Sequence, residues 1–342
     1  VSNSIFENFI TTIYGISGAG KTSLINAGIT PLLKQSNFLP IRIRLKHETD
    51  ESYCMQIINA ICSSVEGIEG EVEHNESIGL ENIHDTDRLW FFLHTRRFWT
   101  KDNYPIHPVI LIDQFEEIFT QNSDTTKIYD FFESINAIQY STPPAHTKDI
   151  LEKDESGYFQ IWANKSRMVF IIREDFLARL EDYAYGIAAL RRNRIGIKRM
   201  NGFQAKEVIT KPAPGIISDE NAIRILSKVA GKEVDPSKRS MERLSIDTSI
   251  LSLFCSELYR RAAEEGKDSI TEEIIEKSGG DIIQTFYERC MGSIDEELVT
   301  FLEADTHLLT SSGFRNSLAY EDIIVPKLSH SEISHGPYFL AD

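Results

Sequence analysis

The chain has 342 residues, of which 41% are hydrophobic and 26% charged, a composition ordinary for a globular protein of two or three domains. No apolar run approaches the roughly 18 residues that a membrane span needs, and no secretory leader is recognisable, so we expect a cytoplasmic protein without membrane contact. The formal net charge of −16 argues against binding of nucleic acid through the overall field of the chain.

A glycine-rich loop lies between a predicted strand over 10–14 and a predicted helix over 21–35. The loop, GISGAGKT, fits G-x-x-x-x-G-K-[ST], in which the glycines let backbone N–H groups approach a phosphate. Lys21 adds a charge for the β- and γ-phosphates, and Thr22 offers a hydroxyl to Mg²⁺. The predicted nucleotide-binding residues are Gly15, Ser17, Gly18, Ala19, Gly20, Lys21, Thr22 and Ser23.

An acidic motif, VILIDQFEEIF, follows after a strand at 40–45 and helices at 51–65 and 86–99. Its apolar part predicts a buried strand over 108–113, which ends in Asp113. Ligands bind at this end of strands in open α/β sheets, so Asp113 is predicted to hold Mg²⁺ through water, together with the hydroxyl of Thr22. Of the two acids that follow, we expect Glu117 to activate the attacking water, with Glu116 as its rival.

A third strand, predicted over 167–172, ends in Arg173. A cation at this strand tip is expected beside the γ-phosphate of a bound nucleotide. Guanine recognition requires Asn-Lys-x-Asp after a strand, but NKSR at 164–167 has Arg167 at the fourth position and precedes a strand. The sequence therefore favours ATP over GTP.

The remaining patterns divide the chain into three predicted domains. Alternating strand and helix signals predict a parallel α/β sheet flanked by helices over 1–215. A helical domain over 216–292 and a winged-helix-like segment over 293–342 follow. The other predicted elements are a strand at 194–198 and helices at 125–138, 174–182, 203–211, 219–231, 248–264, 271–277, 280–291 and 294–304.

Four segments together resemble the STAND NTPases, close to the NACHT branch and to the bacterial novel STAND group, which includes the antiviral AVAST proteins. They are GISGAGKTSLINAGITPLL, VILIDQFEEIFT, VFIIREDFLARLEDY and GFQAKEVITKPA. The resemblance implies an ASCE-type P-loop domain, a helical domain and a winged helix. It assigns Lys21 and Thr22 to Walker A, Asp113, Glu116 and Glu117 to Walker B, and Arg173 to the sensor.

The resemblance also implies a function and partners. The expected protein is a slow ATPase switch that forms a homo-oligomer, such as a tetramer, with ATP and Mg²⁺ after a trigger binds. The implied trigger is a phage protein such as a terminase or portal, recognised by regions outside this chain, and the implied output is a linked effector such as a nuclease. One departure is Thr248, which stands where family members carry a nucleotide-contacting proline.

Two further features bear on partners and location. An AAA+-type motor or loader acting on nucleic acid stays open as an alternative, because LRRNR at 190–194 could supply arginines for hydrolysis in a neighbouring subunit. Four cysteines form no C-x-x-C pair and indicate free thiols of a reducing compartment: Cys54, Cys62, Cys255 and Cys290.

Overall fold

The computed structural model describes residues 1–47, 49–66, 83–99, 104–120, 125–139, 164–212 and 214–278, together with 143, 144, 147, 148 and 152. The chain divides into two compact units, one of Val1–Asn201 with Ser245–Ser249 and one of Gly202–Leu244 with Ile250–Asp342. The helices predicted at 280–291 and 294–304 and the winged-helix-like segment lie outside the described residues. The boundaries of the three predicted domains therefore stay predictions.

One six-stranded sheet forms the centre of the first unit in the part of the chain that the structure describes. Its strands are β1 (Ile10–Gly15), β2 (Phe38–Ile43), β3 (Phe98–Trp99), β4 (Pro105–Ile112), β5 (Arg167–Arg173) and β6 (Arg194–Gly196). The order is β2–β4–β5–β1–β6 with parallel pairing throughout, and the short β3 pairs antiparallel with β4. This architecture confirms the predicted parallel α/β class and places β5 between β1 and β4.

The helices of the first unit flank this sheet. The described α-helices are Ser2–Glu7, Lys21–Ser23, Thr30–Gln35, Tyr53–Glu66, Asp85–Thr95, Glu117–Thr120, Thr125–Ile138, Leu177–Tyr183 and Ala188–Arg192, with a π-helical segment Leu24–Ile29 and a 3₁₀ turn Glu174–Phe176. Most bounds agree with the predicted ones within a few residues. The helix predicted over 86–99 is shorter, because its last residues form β3.

The central strands are buried on both faces, as strands of a parallel sheet covered by helices must be. Alternate side chains of β4 and β5 point to opposite faces and enter two separate apolar clusters. One cluster is rich in aromatic rings and includes Ile110, Ile112, Met168, Phe170 and Ile172. The other is smaller and includes Val109, Leu111, Val169 and Ile171.

The second unit, as far as it is described, is helical. Its helices are Gly202–Thr210, Asp219–Ala230, Lys238–Arg243, Thr248–Glu264 (from Ile250) and Glu272–Lys277. The Asp219–Ala230 helix has clear end signals: the Ser218 hydroxyl accepts the Asn221 N–H at 3.1 Å, and Gly231 ends the helix at a φ of 64°. No helix among the described residues is long and apolar enough to cross a membrane.

Candidate functional site

The parallel pairing of the strands brings three predicted segments to one edge of the sheet. Gly15 is the partner of Arg173 in the β1–β5 pair, so the phosphate loop and the predicted sensor start side by side. Asp113 follows directly after β4, and β4 pairs with the side of β5 that is opposite to β1. Ligands bind at this carboxyl edge in open α/β sheets, so the segments meet where a nucleotide would lie.

Glycines make the turn of the phosphate loop possible. Gly18 and Gly20 have φ values of 71° and 84°, a left-handed conformation that residues with a Cβ disfavour. A Cβ at Gly15 would approach the carbonyl oxygen of Ile197 to 2.5 Å. The helix begins at Lys21, directly after Gly20, so the loop ends at a helix N-terminus whose N–H groups lack helical partners. The backbone of the motif is therefore shaped to hold a phosphate.

Lys21 lies folded onto the loop that precedes it. Its Nζ donates hydrogen bonds to Gly15 O at 2.8 Å and to Ile16 O at 2.9 Å. Burial lowers the pKa of Lys21, whereas the nearby carboxylate of Glu116 acts against this shift and Arg173 adds to it. Lys21, Glu116 and Arg173 are thus close enough to influence one another.

Thr22 and Asp113 come together and form a fitting pair of ligands for Mg²⁺. The Thr22 hydroxyl donates to Asp113 Oδ2 at 3.2 Å, and the Asp113 side chain is only 6% exposed. Mg²⁺ prefers oxygen ligands and typically takes one or two from the protein, with the others from water and phosphates. In the described residues no group of three or more His, Cys, Asp or Glu side chains is arranged to hold a metal alone.

Of the two glutamates in the acidic motif, Glu116 is the one close enough to Lys21 to influence its pKa. Its Oε2 accepts the backbone N–H of Arg173 at 3.2 Å. Burial raises the pKa of Glu116, and backbone hydrogen bonds, Lys21 and Arg173 limit the rise. A partly buried carboxylate with increased proton affinity suits general-base catalysis.

Glu117 is turned toward a different partner. Both of its carboxylate oxygens accept hydrogen bonds from the guanidinium of Arg44, which lies just beyond β2. This forked pairing is the strong geometry for an arginine and a carboxylate. Glu117, which the sequence analysis favoured as the catalytic base, is therefore engaged in an ion pair.

Arg173 is held by a residue two positions along the chain. Its Nη2 donates to Asp175 Oδ2 at 2.6 Å, and its Nε donates to Asp175 Oδ1 at 3.1 Å. The guanidinium also lies over the ring of Phe176, 5.4 Å from the centroid. These contacts fix the orientation of the predicted sensor arginine.

The turn after Asp113 has an unusual backbone. Gln114 is one of two non-glycine residues with positive φ in the described chain, at 53°. Its N–H donates to Asp113 Oδ1 at 3.0 Å, and the next residue, Phe115, is anchored by a hydrogen bond from its N–H to Ile171 O at 2.9 Å. Phe115 is 1% exposed and packs against the ring of Phe170. The anchored turn sets the directions of the acids that follow.

Residues 245–249 also lie against the phosphate loop. Ser249 Oγ is 2.8 Å from the position that a Cβ on Gly18 would take, and Thr248 Cγ2 is 3.7 Å from the corresponding position on Gly20. The Thr248 hydroxyl is buried and makes no hydrogen bond within the described part of the chain. This hydroxyl belongs to the residue that the sequence analysis named as a departure from the proline of family members.

The sequence analysis missed three residues of the site, namely Arg42, Arg44 and Asp175. The two arginines alternate at the end of β2 in IRIRLK, a pattern that puts both on one face of an extended chain. That alternation was the available signal, but it does not identify the partners. Asp175 is visible in the REDF segment, where its spacing from Arg173 is compatible with a local ion pair.

Comparison with protein families identifies the chain. The model of the family described as Novel STAND NTPase 1 matches residues 1–265. The chain belongs to the Novel STAND NTPase 1 family. This result confirms the resemblance to STAND NTPases, and the phosphate loop and acidic motif are the nucleotide-binding features expected of such a protein.

Solved structures similar to this novel STAND NTPase include a Cdc6p protein and several ORC proteins. Cdc6p from Pyrobaculum aerophilum is 14% identical with a TM-score of 0.45, over 80% of this chain and 60% of that one. The Aeropyrum pernix ORC2 protein in ADPNP–ADP complexes is 12% identical with a TM-score of 0.49, over 92% and 77%. Drosophila ORC bound to DNA is 15% identical with a TM-score of 0.45, over 91% and 65%.

The novel STAND NTPase chain thus spans less than two thirds of the length of the Pyrobaculum Cdc6p chain. No curated protein matches its sequence. The family assignment rests on the family model alone.

The turn of this novel STAND NTPase yields a stability prediction. Gln114 is exposed, so its replacement removes no packing and tests the left-handed backbone directly. We expect Gln114→Val to lower the free energy of unfolding by about 1–2 kcal/mol, because a β-branched residue disfavours this conformation. Gln114→Gly should leave it unchanged or raise it by up to about 1 kcal/mol. Equilibrium urea unfolding measures both, and a larger loss for Gly than for Val would contradict the explanation.

Proposed function

We propose that this chain is the nucleotide switch of an ATP-dependent signalling protein: it binds ATP with Mg²⁺, hydrolyses it slowly, and changes its assembly with the state of the nucleotide. The observation that carries the proposal is the meeting of Lys21, Asp113, Glu116 and Arg173 at one sheet edge. A phosphate loop, a metal-ligating pair, a partly buried base and a cation are the parts that phosphoryl transfer from ATP needs.

Each residue has a role that follows from its position. Lys21 exchanges its two carbonyl partners for β- and γ-phosphate oxygens, and the loop N–H groups hold the same phosphates. Thr22 and Asp113 would hold Mg²⁺, which when bound neutralises phosphate charge. Glu116 accepts the proton of the attacking water, since its carboxylate faces Lys21 while Glu117 is engaged by Arg44. This reverses the order of the two acids suggested by the sequence.

Arg173 is the proposed sensor of the γ-phosphate. A switch needs a contact that one nucleotide state makes and the other does not. Arg173 ends the strand between β1 and β4, next to both Lys21 and Glu116, so a γ-phosphate would come within its reach. Loss of that phosphate on hydrolysis would return the guanidinium to Asp175.

The biological setting is proposed from the family resemblance. We infer a role in prokaryotic antiviral defence, in which a phage protein, such as a terminase or portal, is sensed by regions outside this chain. Binding would then allow homo-oligomers, such as tetramers, to form and to activate a linked effector such as a nuclease. A turnover that stays slow until the trigger is present would fit this role.

The motor alternative has one supporting observation. Arg191 and Arg192 are exposed at the end of a short helix, as arginines acting on a neighbouring subunit would be. Arg194 of the same stretch is instead part of β6 and pairs with Glu181 at 2.7 Å. Stimulation of ATP turnover by DNA or RNA would favour a motor, whereas turnover indifferent to nucleic acid favours the switch.

The first prediction from the proposed function concerns Lys21. Lys21→Ala should weaken ATP binding more than about a hundredfold, because the charge and donors on the β- and γ-phosphates are lost. Lys34→Ala is the matched control, since Lys34 is exposed farther along the same helical run. Calorimetric titration measures both variants, and equal ATP affinity in Lys21→Ala and wild type would remove the phosphate-loop assignment.

A second prediction separates the two acids. Glu116→Gln should slow hydrolysis by about a hundredfold or more while leaving ATP affinity within about threefold, because the amide keeps the shape and removes the base. Glu117→Gln should reduce hydrolysis by less than about tenfold. Release of phosphate at saturating ATP is the measurement. Should Glu117→Gln abolish turnover and Glu116→Gln spare it, the roles are the other way round.

A third prediction tests Arg173. Arg173→Ala should leave ADP affinity within about twofold and lower the preference for ATP over ADP by about tenfold or more, since only ATP carries the phosphate it contacts. Asp175→Asn should have the opposite effect, because it releases the guanidinium from its resting partner. Calorimetry with both nucleotides decides, and an unchanged preference in Arg173→Ala would reduce this residue to a surface ion-pair partner.

A further inference from the structure

The two arginines at the end of β2 both pair with acids of the site. β2 lies next to β4, and the carbonyl oxygen of Ile43 accepts the Asp113 N–H at 2.9 Å. Arg42 is level with Leu111 in this pair, and its side chain reaches Asp113 from there. Arg44 lies one residue beyond β2 and reaches Glu117. Neither arginine belongs to a motif that the sequence analysis identified.

The guanidinium of Arg42 occupies the oxygen of Asp113 that also faces Thr22. Arg42 Nη2 donates to Asp113 Oδ2 at 2.6 Å, and Arg42 Nε donates to the same oxygen at 3.2 Å. The Thr22 hydroxyl donates to this Oδ2 at 3.2 Å as well. One carboxylate oxygen thus accepts bonds from a cation and from the other proposed metal ligand.

We propose that Arg42 is a positioning residue that holds the Asp113 side chain in place and competes with Mg²⁺ for its Oδ2. The proposal rests on the proposed function, since it requires a metal–nucleotide complex at this site. A divalent ion bound at this oxygen repels the nearby guanidinium, so the metal and Arg42 each weaken the other's hold on Asp113. Arg42 would leave Asp113 when a metal binds there.

The burial of the two partners indicates which one moves. The Arg42 side chain is 45% exposed, whereas that of Asp113 is 6% exposed. Arg42 also has a second partner nearby, since its Nη1 donates to Asn26 Oδ1 at 3.3 Å. The arginine can therefore turn toward solvent, and the carboxylate stays in place for the metal.

If Arg42 competes with the metal, its removal changes the affinity for nucleotide in opposite directions with and without metal. Without metal, Arg42 offsets the negative charge of Asp113 beside the phosphates, so its removal weakens nucleotide binding. With metal, Arg42 competes for Asp113, so its removal strengthens nucleotide binding. Ion pairs that are partly exposed contribute little, so each change should be about threefold to fivefold.

The experiment compares calorimetric affinities for ATP in excess Mg²⁺ and in a chelator. The measured quantity is the ratio of Kd in the chelator to Kd in Mg²⁺. Arg42→Met, which keeps an unbranched apolar stem, should raise this ratio about tenfold over wild type. Arg44→Met is the matched control: it removes the neighbouring arginine, which pairs with Glu117, and should leave the ratio within about twofold.

A conservative variant separates positioning from charge alone. Arg42→Lys keeps the charge and loses the two-donor contact with Oδ2, so its ratio should lie between those of wild type and Arg42→Met. This variant also provides the comparison if Arg42→Met does not fold.

The outcomes are distinct. A ratio unchanged or lowered in the Arg42 variants, with melting temperatures near that of wild type, would overturn the inference while the proposed function stands. Absence of saturable ATP binding by the wild-type chain would overturn both. A rise confined to the Arg42 variants supports the competition.

Discussion

The parallel pairing of β5 with both β1 and β4 is the constraint on which the site depends. It sets Gly15 level with Arg173 and puts the end of β4 alongside, so a phosphate loop, an acidic turn and an arginine share one edge. The apolar side chains that alternate along β4 and β5 enforce the pairing, because a shift of one residue would turn each cluster toward the wrong face. The chemistry of the edge therefore rests on the packing of the sheet.

Four basic side chains at this edge donate hydrogen bonds to partners within the chain. Lys21 donates to loop carbonyls, Arg42 to Asp113, Arg44 to Glu117, and Arg173 to Asp175. A phosphate and a metal would replace these partners rather than find isolated charges. If a nucleotide binds here as proposed, several side chains would change partners together, which is the kind of differential contact that a switch between two states requires.

The parts of the site that local sequence determines were predictable, and the parts that depend on distant contacts were not. The phosphate loop and the strand before Asp113 were recognisable because glycine spacing and apolar runs have direct backbone consequences. The pairing of Glu117 with Arg44 joins residues 73 positions apart, so nothing in the acidic motif itself indicates which acid is engaged. The left-handed Gln114 was equally hidden, because glutamine rarely adopts that conformation and tertiary anchoring of Phe115 holds it there. The helix predicted at 248–264 was correct in extent. The sequence did not indicate, however, that residues 245–249 belong to the first unit.

The most direct test of the account is a calorimetric titration of the wild-type chain with ATP. The account predicts one saturable site per chain in the presence of Mg²⁺, with weaker binding when the metal is removed by a chelator and weaker binding of GTP. Absence of saturable ATP binding at millimolar concentrations would contradict the assignment of the sheet edge as a nucleotide site.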